Sequence, residues 1–168
     1  GIRDITDKDI RAFKKMGRVC KLMVKAKKHK DGISAYVEPA LLPLSAPESS
    51  VTMNFNMTTL VGKNIGRLSL MGQGAGKYPT GSSLVQDMLD IKCNAIGPCA
   101  PKKAIRADNS LERHSYYLRT SAITAELRQL GQMVNGEYII TEPLTSEMHA
   151  MAKRLQKSDP DMFFAGIE

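Results

Sequence analysis

Three glycines at alternate positions, Gly72, Gly74 and Gly76, mark the stretch Gly72-Gln73-Gly74-Ala75-Gly76-Lys77-Tyr78-Pro79-Thr80-Gly81-Ser82-Ser83. Without a Cβ the backbone tolerates positive φ and lets a ligand come up against bare peptide groups. The stretch runs into Leu84-Val85-Gln86-Asp87-Met88-Leu89-Asp90, where Leu84, Val85, Met88 and Leu89 recur on one helical face. A helix there begins with unpaired N–H groups and a partial positive charge, which suits an anionic or amide-bearing ligand. Two phosphate-binding patterns do not match the letters. A P-loop needs four residues between its first glycine and the Gly-Lys pair, then Ser or Thr; here three residues separate Gly72 from Gly76, and Tyr78 follows Lys77. In the dinucleotide pattern G-x-G-x-x-G the third glycine is replaced by Lys77 counting from Gly72, or by Pro79 counting from Gly74. On motif logic alone, a tight structural turn therefore stands beside ligand binding as a reading of the loop.

The elements that must position this loop follow from periodicity. Residues 66–71 form a short apolar run that reads as a strand, and residues 53–61 and 67–71, separated by Gly62-Lys63-Asn64-Ile65-Gly66, read as a hairpin delivering the glycines. Upstream, Thr6 and Asp9 form a capping box that opens a helix with Ile10, Phe13 and Met16 inward, and Gly17 closes it. Residues 19–24 and 33–37 alternate as strands around a Lys-rich turn ending in Asp31-Gly32. Pro39, Pro43 and Pro47 leave room only for short turns. The fold expected is α+β, with helices packed on a mixed, largely antiparallel sheet.

The pattern changes after residue 91. Residues 92–112 carry Gly97-Pro98, Pro101, Lys102, Lys103, Arg106 and Asp108-Asn109-Ser110 and read as a linker. Beyond it, residues 116–120 read as a strand, 124–134 as a helix with Leu127, Leu130, Met133 and Val134 inward, and 137–141 as a second strand. Thr145 or Ser146 caps a helix bearing Met148, Met151, Ala152 and Leu155, and residues 162–167 close as a strand. The expected organisation is 1–91, a linker over 92–112, and a small β-α-β-α-β region over 113–168.

Composition excludes several classes. With 168 residues, 42% hydrophobic and 24% charged, the chain is ordinary for a soluble globular protein. It has no run of eighteen apolar residues and no basic-then-apolar leader, so neither a membrane nor secretion is indicated. The net charge of +7 centres on Lys25-Ala26-Lys27-Lys28-His29-Lys30, but no aromatic residues interleave with it and there is no Trp, so nucleic acid is not the expected partner. Cys20, Cys93 and Cys99 lack a C-x-x-C pair, which argues against a disulfide framework or a structural zinc and for inert thiols in a reducing cytosol. His29, His114 and His149 stand apart at spacings unlike metal ligands and are assigned surface and packing roles, with no metal site. A chain that opens on Gly1 rather than Met is expected to be a piece of something longer.

The string Gly72-x-Gly74-Ala75-Gly76-x-x-Pro79-Thr80, with Ser83, Val85 and Asp87 on the helix after it, closely resembles the glycine signature of the homoserine dehydrogenase catalytic domain. Further pieces fall in that family's order. These are residues 1–10, Lys21-Leu22, Val37-x-Pro39 with Leu41, Leu42 and Pro43, then Pro47 and Val51 ahead of Asn56. Together they cover roughly residues 1–91. The region after the linker resembles a shortened ACT regulatory domain, with three strands where that fold has four; Tyr116-Tyr117-Leu118-Arg119 is the part most like it.

The resemblance implies an enzyme that moves a hydride between NADPH or NADH and the aldehyde carbon of aspartate 4-semialdehyde. The family's nucleotide-binding domain and its Asp-x-x-x-Lys catalytic pair precede the region matched here, so no catalytic residue is expected in this chain, which alone should be inactive. NADP or NAD would be held mainly by that upstream domain. It is the implied partner of this chain, together with a second copy in a cytoplasmic homodimer and a small-molecule substrate. By position, Gly76 would contact the dinucleotide near its nicotinamide end, with Gly74 and Ala75 lining the same wall. Lys77 stands where the family often has a small residue and either reaches a phosphate or points to solvent. Asn56 keeps one letter of its motif, while Met57 and Thr58 replace a small and a branched apolar residue. The alternatives are a non-enzymatic regulatory or oligomerisation module and a basic binding protein.

Overall fold

The structure, a computed structural model, describes residues 2–95, 106–136 and 138–168. They fall into two compact units, one within Gly1–Ser49 and Ile105–Glu168, the other within Ser50–Ala104.

In the first unit Thr6 caps helix α1 (Asp7–Lys15), with both halves of the expected capping box formed. Gly17, at φ +65°, reverses the chain into β1 (Arg18–Lys28). Strand β2 (Ile33–Pro43) returns antiparallel, from Lys28 opposite Ile33 to Arg18 opposite Pro43. The prolines thus do not break the chain as expected. Pro39 and Pro43 lie outside Ala40 and Leu41, the positions where β2 pairs with both β1 and β8, so the sheet tolerates residues that lack an N–H there. Of the Lys-rich run, Lys25, Lys27 and Lys28 belong to β1, and only His29 and Lys30 fall in the turn. Lys25 bonds the Glu168 side chain, and Lys27 meets Glu112 at 2.9 Å.

The remaining strands of this unit are β5 (Tyr116–Arg119), β6 (Gly131–Val134), β7 (Tyr138–Thr141) and β8 (Phe163–Ile167). With helices α3 (Ala125–Leu130) and α4 (Thr145–Ser158) they run β-α-β-β-α-β. The six-stranded sheet has the order β1-β2-β8-β5-β7-β6, antiparallel except for the β2·β8 pair. Alternating residues of β5 feed the two faces. Tyr117 packs with Ala12 and Phe13 of α1, whereas Tyr116 and Leu118 pack with Leu127 of α3 and Met148, Met151 and Leu155 of α4.

Four expectations change here. The helix expected over 124–134 ends at Leu130, and Gly131 opens β6 instead. A Cβ at Gly131 would lie 2.7 Å from the Ile140 carbonyl oxygen, so only glycine lets β6 close onto β7. The region therefore has four strands, not three. Ile10 is exposed, and the face of α1 that packs carries Asp9, Ala12 and Phe13. Leu144, not Thr145 or Ser146, occupies the N-cap of α4; its N–H donates to Glu147 at 2.9 Å while Thr145 is fully buried. Strand β2 pairs with β8 through Ala40–Gly166 and Leu41–Ile167, so the sheet of this unit draws on residues from both sides of the expected linker. Of the expected linker, Gly97, Pro98, Pro101, Lys102 and Lys103 lie outside the described residues, as does Glu137.

The second unit is the expected hairpin and helix: β3 (Phe55–Gly62), β4 (Gly66–Gln73) and α2 (Lys77–Lys92). The helix begins at Lys77, before the apolar repeat that announced it, since Pro79 falls in the first turn, where its missing N–H has no intrahelical role. None of its described residues is buried. Leu60, Leu68 and Leu70 of the hairpin and Leu84, Val85, Met88 and Leu89 of α2 are all exposed.

Candidate functional site

The glycine loop leaves β4 at Gln73, which pairs with Phe55 as Gly72 pairs with Asn56. It is held from the start of β3. The Gly74 N–H donates to the Asn54 carbonyl at 2.7 Å, and Asn54 Nδ2 donates to the Ala75 carbonyl at 2.7 Å. Gly76 is the N-cap of α2 at φ +126°, a conformation that L side chains rarely adopt, and no side chain caps the helix. Thr80 N–H bonds the Gly76 carbonyl at 3.1 Å, and Ser83 Oγ donates to the Pro79 carbonyl at 3.1 Å.

The glycines of the loop differ in what makes them glycine. A Cβ at Gly72 would meet nothing within 4 Å. At Gly74 it would overlap the Asn56 amide, 2.7 Å from Cγ, and at Gly76 the backbone angle itself is the constraint. Gly74, Ala75 and Gly76 are all exposed. The loop thus presents bare backbone at the start of a 16-residue helix, where the N–H groups of Lys77 and Tyr78 have no intrahelical acceptor. Such a surface fits an amide-bearing or anionic group. Lys77 Nζ lies over the Tyr78 ring, 5.8 Å from its centroid.

A second cluster of titratable groups lies in the first unit, around a residue that sequence reasoning passed over. Glu38 sits in β2 within the apolar run Val37-Glu38-Pro39-Ala40-Leu41-Leu42, and that lone carboxylate was the available signal. It is buried and accepts from His114 Nε2 at 2.9 Å, His149 Nε2 at 2.9 Å and the Tyr116 hydroxyl at 3.1 Å. Burial pushes the carboxyl upward, but the bonds from His114 and His149 and the nearby charges of His114 and Lys25 outweigh it and hold it at about 2. His114 and His149 therefore anchor a buried anion. His29 bonds Ser34 at 2.9 Å. Among the described residues no group of three His, Cys, Asp or Glu side chains could hold a metal ion. Cys20 is a free thiol pushed up to about 11 by burial and by Asp9; Cys93 is free and exposed, and Cys99 lies outside the described residues.

A family model described as homoserine dehydrogenase matches residues 1–89. The homoserine dehydrogenase of Bacillus subtilis (strain 168) is 37% identical over 94 residues, covering 56% of this chain and 22% of that protein. That of Corynebacterium glutamicum is 36% identical over 114 residues, covering 64% of this chain and 26% of its own length. Among solved structures, a homoserine dehydrogenase from Thiobacillus denitrificans superposes with a TM-score of 0.69 at 22% identity, over 100% of this chain and 46% of that one. One from S. aureus gives a TM-score of 0.62 at 21% identity, again over 46% of its length. These last two are likenesses of fold. The chain spans about a quarter of the curated relatives' length and less than half of the solved chains.

Proposed function

This chain belongs to the homoserine dehydrogenase family, and we propose on that footing that it is the C-terminal, substrate-side part of an NAD(P)-dependent enzyme interconverting aspartate 4-semialdehyde and homoserine. That reaction would serve threonine, methionine and isoleucine biosynthesis in the cytoplasm. Residues 1–91 would carry the catalytic-domain and dimerisation part and 113–168 the ACT-like part. The observation that carries the reading is the exposed wall of Gly74, Ala75 and Gly76 at the uncapped start of α2.

When bound, the reduced nicotinamide supplies the hydride. What this chain contributes is position. Gly76, fixed at φ +126°, turns the backbone into α2 without placing a side chain in the space a ring would occupy. The first-turn N–H groups and the positive end of the helix favour an amide oxygen or a phosphate beside them. We assign the acid–base and alkoxide-stabilising groups, and with them the choice between NAD and NADP, to the upstream nucleotide-binding domain; this chain alone is then inactive. That domain and a second copy in a homodimer are the partners we assign. In their favour, the second unit buries none of its described residues and leaves Leu60, Leu70, Leu84, Val85 and Met88 exposed.

A second reading, a non-enzymatic regulatory or oligomerisation module, is favoured by the β-α-β-β-α-β order of the last four strands. The test of the cofactor wall is hydrogen exchange on the natural full-length protein with and without NADPH or NADH. Residues 74–80 should gain protection when the dinucleotide is added. Saturation with either dinucleotide without protection there would remove the assigned role.

A further inference from the structure

We infer that Asn54 and Asn56 are positioning residues for the dinucleotide, and that Gly74 lacks a side chain to make room for Asn56 rather than for the cofactor. This rests on the cofactor-wall reading given above. Asn54 grips the loop twice: its carbonyl accepts from the Gly74 N–H at 2.7 Å, and its Nδ2 donates to the Ala75 carbonyl at 2.7 Å. The Gln73–Gly74 and Ala75–Gly76 peptide groups, one on either side of the Gly74–Ala75 link, are thus both held by one residue.

Two positions further on, within β3, the Asn56 amide fills the volume a Cβ at Gly74 would take, with Cγ 2.7 Å from that point. Asn54 Nδ2 also lies 3.7 Å from the Cβ position of Gly76. Two short amides from β3 and its approach therefore set the path of the loop before any ligand arrives. A wall fixed in advance binds without first being ordered, so loosening it weakens binding even where no contact to the ligand is removed.

The inference separates two reasons for the glycine at 74. If the cofactor occupies the space, any side chain there blocks binding whatever residue 56 is. If Asn56 occupies it, shortening residue 56 makes a side chain at 74 acceptable.

The experiment measures the Kd for NADPH and NADH by nicotinamide fluorescence on the natural full-length protein and its variants, with urea unfolding as the control for folding. Asn54→Ala should raise Kd roughly three- to tenfold, and raise KM for the dinucleotide while leaving kcat at saturation near wild type, with an unchanged unfolding midpoint. Gly74→Ala should raise Kd about tenfold or more, and Gly74→Ala combined with Asn56→Ala should recover to within about threefold of Asn56→Ala alone. A wild-type Kd for Asn54→Ala, whether or not its midpoint falls, overturns the positioning role. A double variant as weak as Gly74→Ala overturns the assignment of the space to Asn56. Failure of the wild-type protein to bind either dinucleotide defeats the underlying reading, and this inference with it.

Discussion

Asp9, in the first turn of α1, and Arg119, the last residue of β5, form an ion pair with Nε 2.8 Å from Oδ1 although 110 positions separate them in the chain. The Asp9 carboxylate is fully buried and also accepts from the Tyr117 hydroxyl at 2.6 Å and the Thr6 N–H at 2.7 Å. Burial raises its pKa, but the bonds from Arg119, Tyr117 and Thr6 outweigh this and leave it lowered. Arg119 in turn reaches the Asp4 and Asp161 carbonyls at 2.8 and 2.7 Å. One guanidinium thus ties the approach to α1, the helix itself and the approach to β8 to the central strand. Removing one member of a buried pair strands the other, so Arg119→Ala should destabilise the first unit by about 3–5 kcal/mol. Urea unfolding followed by far-UV circular dichroism measures it, and a loss below about 1 kcal/mol would show the pair to be dispensable.

Glu38 makes stability depend on acid. Its folded carboxyl is held at about 2, below the ordinary value of 4.5, so the stabilisation is present above pH 4.5 and is lost as pH falls through about 2. A shift of that size corresponds to about 3 kcal/mol. Glu38→Gln keeps the shape and removes the titration. Its unfolding free energy should fall less than that of the wild type between pH 5 and pH 2, and parallel slopes for the two proteins would refute this role for the carboxylate.

Gly131 and Gly136 should respond to alanine for different reasons. At Gly131 a methyl group would press on Ile139 and the Ile140 carbonyl of β7, an overpacking expected to cost about 1–3 kcal/mol. At Gly136 there is open space but φ is +68°, so the cost is backbone strain of about 1 kcal/mol. Thermal unfolding of the two variants ranks them. Equal stability of Gly131→Ala and the wild type would contradict the close approach of β6 to β7.

Where the sequence was informative, the signal was local. The Thr6–Asp9 box fixed the start of α1, and Met148, Met151, Ala152 and Leu155 marked the buried face of α4 because one helical period decides both. Non-local pairing was hidden. Pro39 reads as a breaker until β8 is known to reach only Ala40 and Leu41, and Gly131 reads as a residue within a helix until β7 is beside it. The site shows the same division. The Gly74–Gly76 loop was legible because glycine spacing is a local signal, but the grip of Asn54 on Ala75, 21 positions away, depends on the hairpin register. Glu38 was missed because its histidines lie 76 and 111 positions along the chain.

The most direct measurement is aspartate 4-semialdehyde-dependent oxidation of NADPH and NADH, comparing this chain alone with the natural full-length protein. Oxidation by the full-length protein and none by the isolated chain is the expected result. Inactivity of a full-length protein that carries a nucleotide-binding domain would contradict the enzymatic reading, leave the glycine loop a structural turn and favour the regulatory module.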